Sequence, residues 1–386
     1  MEADVLLVGG GVASARCART LRRNGFSGRI LLVGEEALLP YNRPPLSKEV
    51  LREGHSPELL AAEPASWYER HAVQTITGVA VTRLEPDERR ATLADGRVVQ
   101  FGSCVLATGA APRTLSVTGG EGALFLRTLA DAQRLREAAL ATPPGSPVVV
   151  VGGGLIGVEV ASGLAALGLA PTVVELDELL WGGSMGRLLS AWALERLEQA
   201  GVTVRTRAAV TALGEGGAWT GDQHLPGAFV VAGIGVRPRD ELAAAAGLAV
   251  GGGIVVDGDQ RSSHPAVWAV GDVARSAGRA GEHWHAARES GERAALSILG
   301  RPVVAHRASW IFTEVARVAV DAFGEAELGD DEGWIIDGGA IARMRDHRLA
   351  QLIVIGGAVP AEVARNLVER GASEAELRAA VGPRIV

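Results

Sequence analysis

The residues best suited to chemistry are two glycine-rich turns, the acids that follow them, and a single lysine. The first turn, GGGVAS at residues 9–14, carries Gly9, Gly11, Ala13 and Ser14, and Glu35 and Glu36 follow at the end of the next apolar run. The second, GGGLIG at residues 152–157, has the full GxGxxG spacing in Gly152, Gly154 and Gly157, includes Ile156, and is followed by Glu175. Glycines at these spacings let backbone N–H groups at a helix start lie against a pyrophosphate, and a later carboxylate accepts from ribose hydroxyls. Two copies, each followed by an acid, are far more specific than one. The lysine is Lys48, where every other basic residue in the chain is arginine. A compact ammonium fits a confined site that a guanidinium does not, so this position reads as functional.

The elements that must hold these residues are strand–helix–strand units. Residues 5–8 form a short apolar strand, an amphipathic helix runs through Arg23, and residues 29–33 form the next strand. The pattern repeats with strands at 148–151 and 172–174. Two more apolar runs end in turns that suit a cofactor clamp. Residues 104–109 finish in Ala107, Thr108 and Gly109, and residues 267–272 finish in Gly271 and Asp272, whose carboxylate suits a ribityl hydroxyl. The last 80 or so residues are different in kind. Runs at 310–322, 333–342 and 349–356 alternate like antiparallel strands, an acidic turn spans 329–333, and 360–370 and 373–380 read as helices. The fold class is α/β, with two Rossmann-like domains and a C-terminal α+β domain.

Composition narrows the functional classes. The chain has 386 residues, 47% hydrophobic and 22% charged, with a net charge of −7, which does not favour nucleic acid or an anionic membrane as partner. Two cysteines, Cys17 and Cys104, make neither a CxxC pair nor a disulfide framework. Residues 147–174 carry one charge, Glu159, yet Gly152–Gly154 and Pro171 break the run where a strand–helix–strand unit needs breaks. Residues 1–8 show no basic n-region before the first strand, so the expected location is the cytoplasm.

Residues 41–48, YNRPPLSK, resemble the YxRPPLSK motif of the FAD-dependent ferredoxin reductases, the rubredoxin and putidaredoxin reductase type that serves cytochrome P450s and Rieske oxygenases and is related to apoptosis-inducing factor. ATGAAPR at 107–113, LRTL at 126–129, GGGLIGVE at 152–159, GIGVRP at 233–238 and VWAVGDVA at 267–274 follow in family order. The resemblance implies an FAD domain split over 1–113 and 241–306, an NAD domain at 114–240 and a C-terminal domain at 307–386. By similarity, Ala13, Glu35, Arg43, Lys48, Val81, Arg113, Arg127, Asp272 and Trp284 contact FAD, with His283 and Trp310 beside them. Glu159, Glu175, Gly233, Ile234 and Gly235 line the nicotinamide site, and Lys48 pairs with Glu159 beside flavin N5. One run departs from the family: where relatives carry Pro-Trp-Phe-Trp-Ser-Asp, residues 309–314 read Ser-Trp-Ile-Phe-Thr-Glu.

The activity so implied is hydride transfer from NADH to FAD, followed by single-electron transfer to a [2Fe–2S] ferredoxin. Glu175 favours NADH, since its carboxylate accepts from a free 2′-hydroxyl and repels a 2′-phosphate, and Leu176, Asp177 and Glu178 supply no arginine for that phosphate. Arg343, Arg345 and Arg348 are candidates for docking an acidic ferredoxin. An NADH-responsive binding module and a quinone or other small-molecule reductase are the alternatives.

Overall fold

The computed structural model describes residues 1–276, 279–280, 283–303, 307–325, 331–336 and 339–381. They fall into two compact units, one made of 1–43, 56–111 and 236–305, the other of 44–55, 112–235 and 306–386.

The first unit is built on a seven-stranded sheet. Val73–Ile76, Ile30–Val33, Glu2–Val8 and Val98–Leu106 lie side by side in parallel, Val267–Ala269 also pairs with Val98–Leu106, and the hairpin of Val81–Glu85 and Arg90–Leu93 completes it. Ile30–Val33 is buried throughout, as a parallel strand covered on both faces must be. The register sets Val8 opposite Val33 and Leu106, Val33 opposite Ile76, and Leu106 opposite Ala269. The first glycine turn, Glu35, Ala107–Gly109 and Gly271–Asp272 therefore all emerge from one edge, the carboxyl end where ligands of such sheets bind. Helix Val12–Arg23 packs beside helix Trp284–Ile298, and a Cβ at Gly291 would come within 2.3 Å of the Ala13 carbonyl oxygen.

The second unit repeats the arrangement on a smaller scale. Thr203–Arg205, Ala170–Val174, Pro147–Val151, Val230–Ala232 and Leu124–Phe125 form a wholly parallel sheet. Val151 stands opposite Val174 and Ala232, which places Gly152, Glu175 and Gly233 together at its carboxyl edge. Helix Leu129–Ala141 starts with a capping box between Thr128 and Asp131, whose carboxyl the Thr128 and Arg127 backbone N–H groups help to hold below its usual range against the opposing effect of burial.

Residues from 310 onward form a five-stranded antiparallel sheet in the order Trp310–Val315, Val318–Gly324, Arg348–Ile355, Ala340–Arg345, Asp331–Ile336, with helices Ala361–Glu369 and Glu374–Val381. The single strand expected at 310–322 is a hairpin, and the run at 333–342 is divided between two strands. Ala316 and Arg317, at φ 46° and 66°, make a two-residue left-handed turn, and Asp346 and His347 make another. Hairpins favour such turns for their twist, but these lack the Asn-Gly or Gly pairs that announce them. Of the expected acidic turn, Gly329 and Asp330 lie outside the described residues, while Asp331 and Glu332 open a strand. Among the described residues no helix is long and apolar enough to cross a membrane; residues 147–174 form the strand, helix and strand that their breaks indicated.

Candidate active site

Both glycine turns leave room for a ligand in front of a helix start. Helices Val12–Arg23 and Leu155–Ala166 begin after Gly11 and Gly154, with no side-chain cap and no acid in the first turn. A Cβ at Gly11 would have no neighbour within 4 Å, and one at Gly154 would meet only the Gly233 oxygen at 3.8 Å. Uncapped N–H groups facing open space suit a pyrophosphate, so the residues fit FAD and NAD(H). The first glycine of each turn must be glycine for another reason. At Gly9 (φ 118°) a Cβ would lie 2.1 Å from the Ala107 oxygen, and at Gly152 (φ 104°) 2.5 Å from the Gly233 oxygen. Ala107–Gly109 and Gly233–Gly235 thus occupy equivalent places in the two folds.

The acids behave differently in the two turns. Glu35 pairs with Arg239 at 2.5 Å, while Glu36 takes Arg43 at 2.7 Å and the Tyr41 hydroxyl at 2.6 Å. Glu175 closes on its own turn, accepting from the Gly153 N–H and, at 2.8 Å, from that of Asp177. Sequence position suggested no arginine near this acid, but the chain brings Arg187 and Arg207 to Glu178, each at 2.9 Å. Both are committed to that carboxylate, whose pKa they lower.

In the first unit, Gly271 donates its N–H to Ser290 and would place a Cβ 3.3 Å from that of Ala13, so the Gly271–Asp272 turn lies against the first helix. The Trp284 indole N–H donates to Asn42 at 2.8 Å, His283 stands at the N-cap position just before it, and the Arg288 guanidinium lies 4.3 Å from the Trp284 ring centroid. Thr108 donates to the Arg239 carbonyl. Val81 packs on the sheet core beside Ile76 and Val79. In the second unit, the Arg113 N–H donates to the Gly235 carbonyl, Ile156 is exposed on the helix start, and Arg127 directly precedes the Thr128 cap. Trp310 donates its indole N–H to Asp321 on the adjoining strand, whose half-buried carboxyl has its pKa raised by burial. Arg343 does not belong to a surface patch: it is 6% exposed and hydrogen bonds to Gln351, whereas Arg345 and Arg348 are exposed.

The most concentrated chemistry in the second unit is around Glu159. Its side chain is 4% exposed, and Lys48 reaches it at 2.7 Å. The Ser47 hydroxyl donates to the same Oε2 at 2.5 Å, and the Thr313 hydroxyl donates to Oε1 at 2.7 Å. Lys48 also donates to the Pro44 carbonyl at 3.1 Å. The helix face explains the assembly. Gly163, one turn beyond Glu159, lets Leu51 and the Ser47 carbonyl approach, since a Cβ there would meet them at 2.8 and 3.4 Å. Ser162 accepts from the Ala316 N–H at 3.2 Å, and Arg52 pairs with Glu314 nearby in the chain fold. Ser47 and Thr313 carry no role in the sequence reading. Ser47 lies inside the lysine motif, and Thr313 and Glu314 lie in the departing run, where a hydroxyl and a carboxylate stand where the family has a hydroxyl and a carboxylate.

Neither cysteine offers an electron exit. Cys17 and Cys104 are buried, and burial pushes the Cys17 thiol up to about 12 and raises that of Cys104 as well.

Residues 3–291 match the family model of pyridine nucleotide-disulphide oxidoreductases. The chain is 34% identical to the benzene 1,2-dioxygenase system ferredoxin–NAD(+) reductase subunit of Pseudomonas putida, over 96% of this chain and 93% of that one. It is 36% identical to the biphenyl dioxygenase system ferredoxin–NAD(+) reductase component of Paraburkholderia xenovorans, over 84% and 81%. Among solved structures it superimposes on a chain of the covalent putidaredoxin reductase–putidaredoxin complex with a TM-score of 0.90 and 28% identity, over 99% of this chain and 96% of that one. With its paired glycine turns and this coverage, the chain belongs to the pyridine nucleotide-disulphide oxidoreductase family.

Proposed function

We propose that the protein takes hydride from NADH and delivers electrons singly to a [2Fe–2S] ferredoxin that feeds a P450 or Rieske-type oxygenase. FAD, when bound, supplies the step between a two-electron donor and a one-electron acceptor. In this reading the first turn takes FAD and the second takes NADH. The observation that carries it is the Lys48–Glu159 pair: the chain's one lysine is buried and held by a carboxylate on the helix of the second turn. An ammonium in so dry a place offsets negative charge on reduced flavin far better than it would in water. Glu159 fixes that ammonium in place, since an unpartnered charge is costly when buried. The relatives' names, ferredoxin–NAD(+) reductases of dioxygenase systems, support the acceptor. Glu175 selects NADH, with Glu178 occupying the arginines that would otherwise receive a 2′-phosphate. We place the activity in the cytoplasm, where NADH is supplied.

Stopped-flow mixing of the FAD-loaded protein with NADH tests this. Flavin bleaching should be fast, and reoxidation rapid with a [2Fe–2S] ferredoxin and slow with O₂ alone. Slow bleaching that yields an air-stable complex would reject the enzyme reading in favour of a binding role.

A further inference from the structure

The geometry points to Thr313 as a positioning residue for flavin reduction, holding Glu159 in place for Lys48; this rests on the proposed role of that pair. A carboxylate 4% exposed needs hydrogen-bond donors in place of its lost water. Oε2 is served by Ser47 and Lys48, adjacent residues of the motif segment. Among the described residues Oε1 receives the Thr313 hydroxyl, from 154 residues away in the chain. Thr313 is 3% exposed on strand Trp310–Val315, which among the described residues pairs only with Val318–Gly324. That strand and the turn after it have other anchors. Arg52 pairs with Glu314, and Ser162 accepts from the Ala316 N–H.

The hydroxyl is therefore surplus to docking the strand and specific to the carboxylate. With Oε1 satisfied, Glu159 cannot rotate away from Lys48 without leaving a buried donor and acceptor unmatched. The C-terminal segment, which carries no dinucleotide turn, in this way sets the geometry of the cation that serves the flavin. Among the described residues the ion pair of Glu159 is with Lys48 from the motif segment, and its own helix, Leu155–Ala166, contributes no other charge.

The test uses the FAD-loaded full chain with Thr313→Val, which keeps the shape and removes the hydroxyl, and Thr313→Ser, which restores it. Two readouts are taken: the flavin midpoint potential by spectroscopic titration, and the limiting rate of reduction by NADH with the NADH dissociation constant from the same traces. Thr313→Val should slow reduction about 10-fold, as expected for losing one hydrogen bond to a charged group, with little change in dissociation constant. The potential should move by about 30 mV, a tenfold change for a two-electron couple, in the same direction as Glu159→Gln moves it. Thr313→Ser should return both towards wild type, and Thr313→Val added to Glu159→Gln should do no further harm. If Thr313→Val fails to hold FAD, Ser47→Ala removes the donor at the other oxygen and should give the same signature. A wild-type potential and rate in Thr313→Val, while Glu159→Gln and Lys48→Ala alter both, would overturn the inference alone. No effect from Glu159→Gln and Lys48→Ala would overturn the reading beneath it as well.

Discussion

The two glycine turns solve the same problem and differ at the third small position. In the second unit a Cβ on Gly157 would lie 1.9 Å from the Gly152 oxygen, so the helix sits directly on the turn. In the first unit Ser14 stands there, fully buried, its hydroxyl donating to the Gly9 oxygen at 2.6 Å. A side chain thus fills in one fold what contact between backbones fills in the other. The glycine that permits close approach has moved to Gly291, where helix Trp284–Ile298 meets the Ala13 carbonyl. In the second unit it is the helix's own Gly163 that admits a neighbour, the segment leading to Lys48. The tight contact is therefore placed on the turn side in the second unit and on the helix–helix side in the first.

Alanine at either glycine should break its own unit and spare the other. Gly157→Ala drives a Cβ into backbone that cannot yield as a flexible side chain would, at a cost of about 1–3 kcal/mol. We expect the NADH dissociation constant to rise about 10- to 100-fold while flavin content stays near wild type. Gly291→Ala should do the reverse, lowering flavin content and leaving intact the second turn. NADH titration and the flavin-to-protein absorbance ratio read the two effects; loss of both functions in both variants would show that the contrast has no energetic meaning.

The glycine turns and the strand–helix–strand units around them were legible because short apolar runs joined by a fixed turn chemistry leave few alternatives, whereas the hairpin of Val81–Glu85 and Arg90–Leu93 carried no such turn. Lys48 stood out by composition alone. Its pairing with Glu159 was legible only through the family resemblance, because the two lie far apart in sequence and no periodicity connects them. Thr313 and Ser47 stayed hidden for a further reason: isolated hydroxyls in a sequence carry no sign of which buried carboxylate they face. The C-terminal hairpins were missed because Ala316–Arg317 and Asp346–His347 adopt left-handed turns without the usual residues. Arg343 was misread because alternation along a strand does not say which face a second layer covers.

The acids sharpen the comparison at a smaller scale. Glu175 holds the Gly153 N–H of its own turn, whereas Glu35 pairs with Arg239. Glu175→Gln should then narrow the preference for NADH over NADPH about 10-fold in kcat/KM, as expected for a single charged hydrogen bond. Glu35→Gln, which leaves its turn untouched, should leave that ratio unchanged. An unaltered ratio in Glu175→Gln would place the discrimination elsewhere, with Glu178 and its two arginines the next pair to examine.

The smallest effect is the most discriminating, because it concerns the third position itself. Ser14→Ala keeps the Cβ and removes one buried hydrogen bond, a loss of about 1 kcal/mol or about 2–4 °C in Tm. Ser14→Gly would be the natural choice if the first turn worked like the second. Here it should cost more than Ser14→Ala, since it loses the hydrogen bond, leaves unfilled space and adds about 1 kcal/mol of helix propensity. At the equivalent Gly157 the order is reversed, with glycine required and alanine excluded. Thermal melts of Ser14→Ala and Ser14→Gly, with flavin content as control, decide the matter. A Ser14→Gly protein at least as stable as wild type would mean that the first helix also rests on its turn, and that the serine is merely tolerated there.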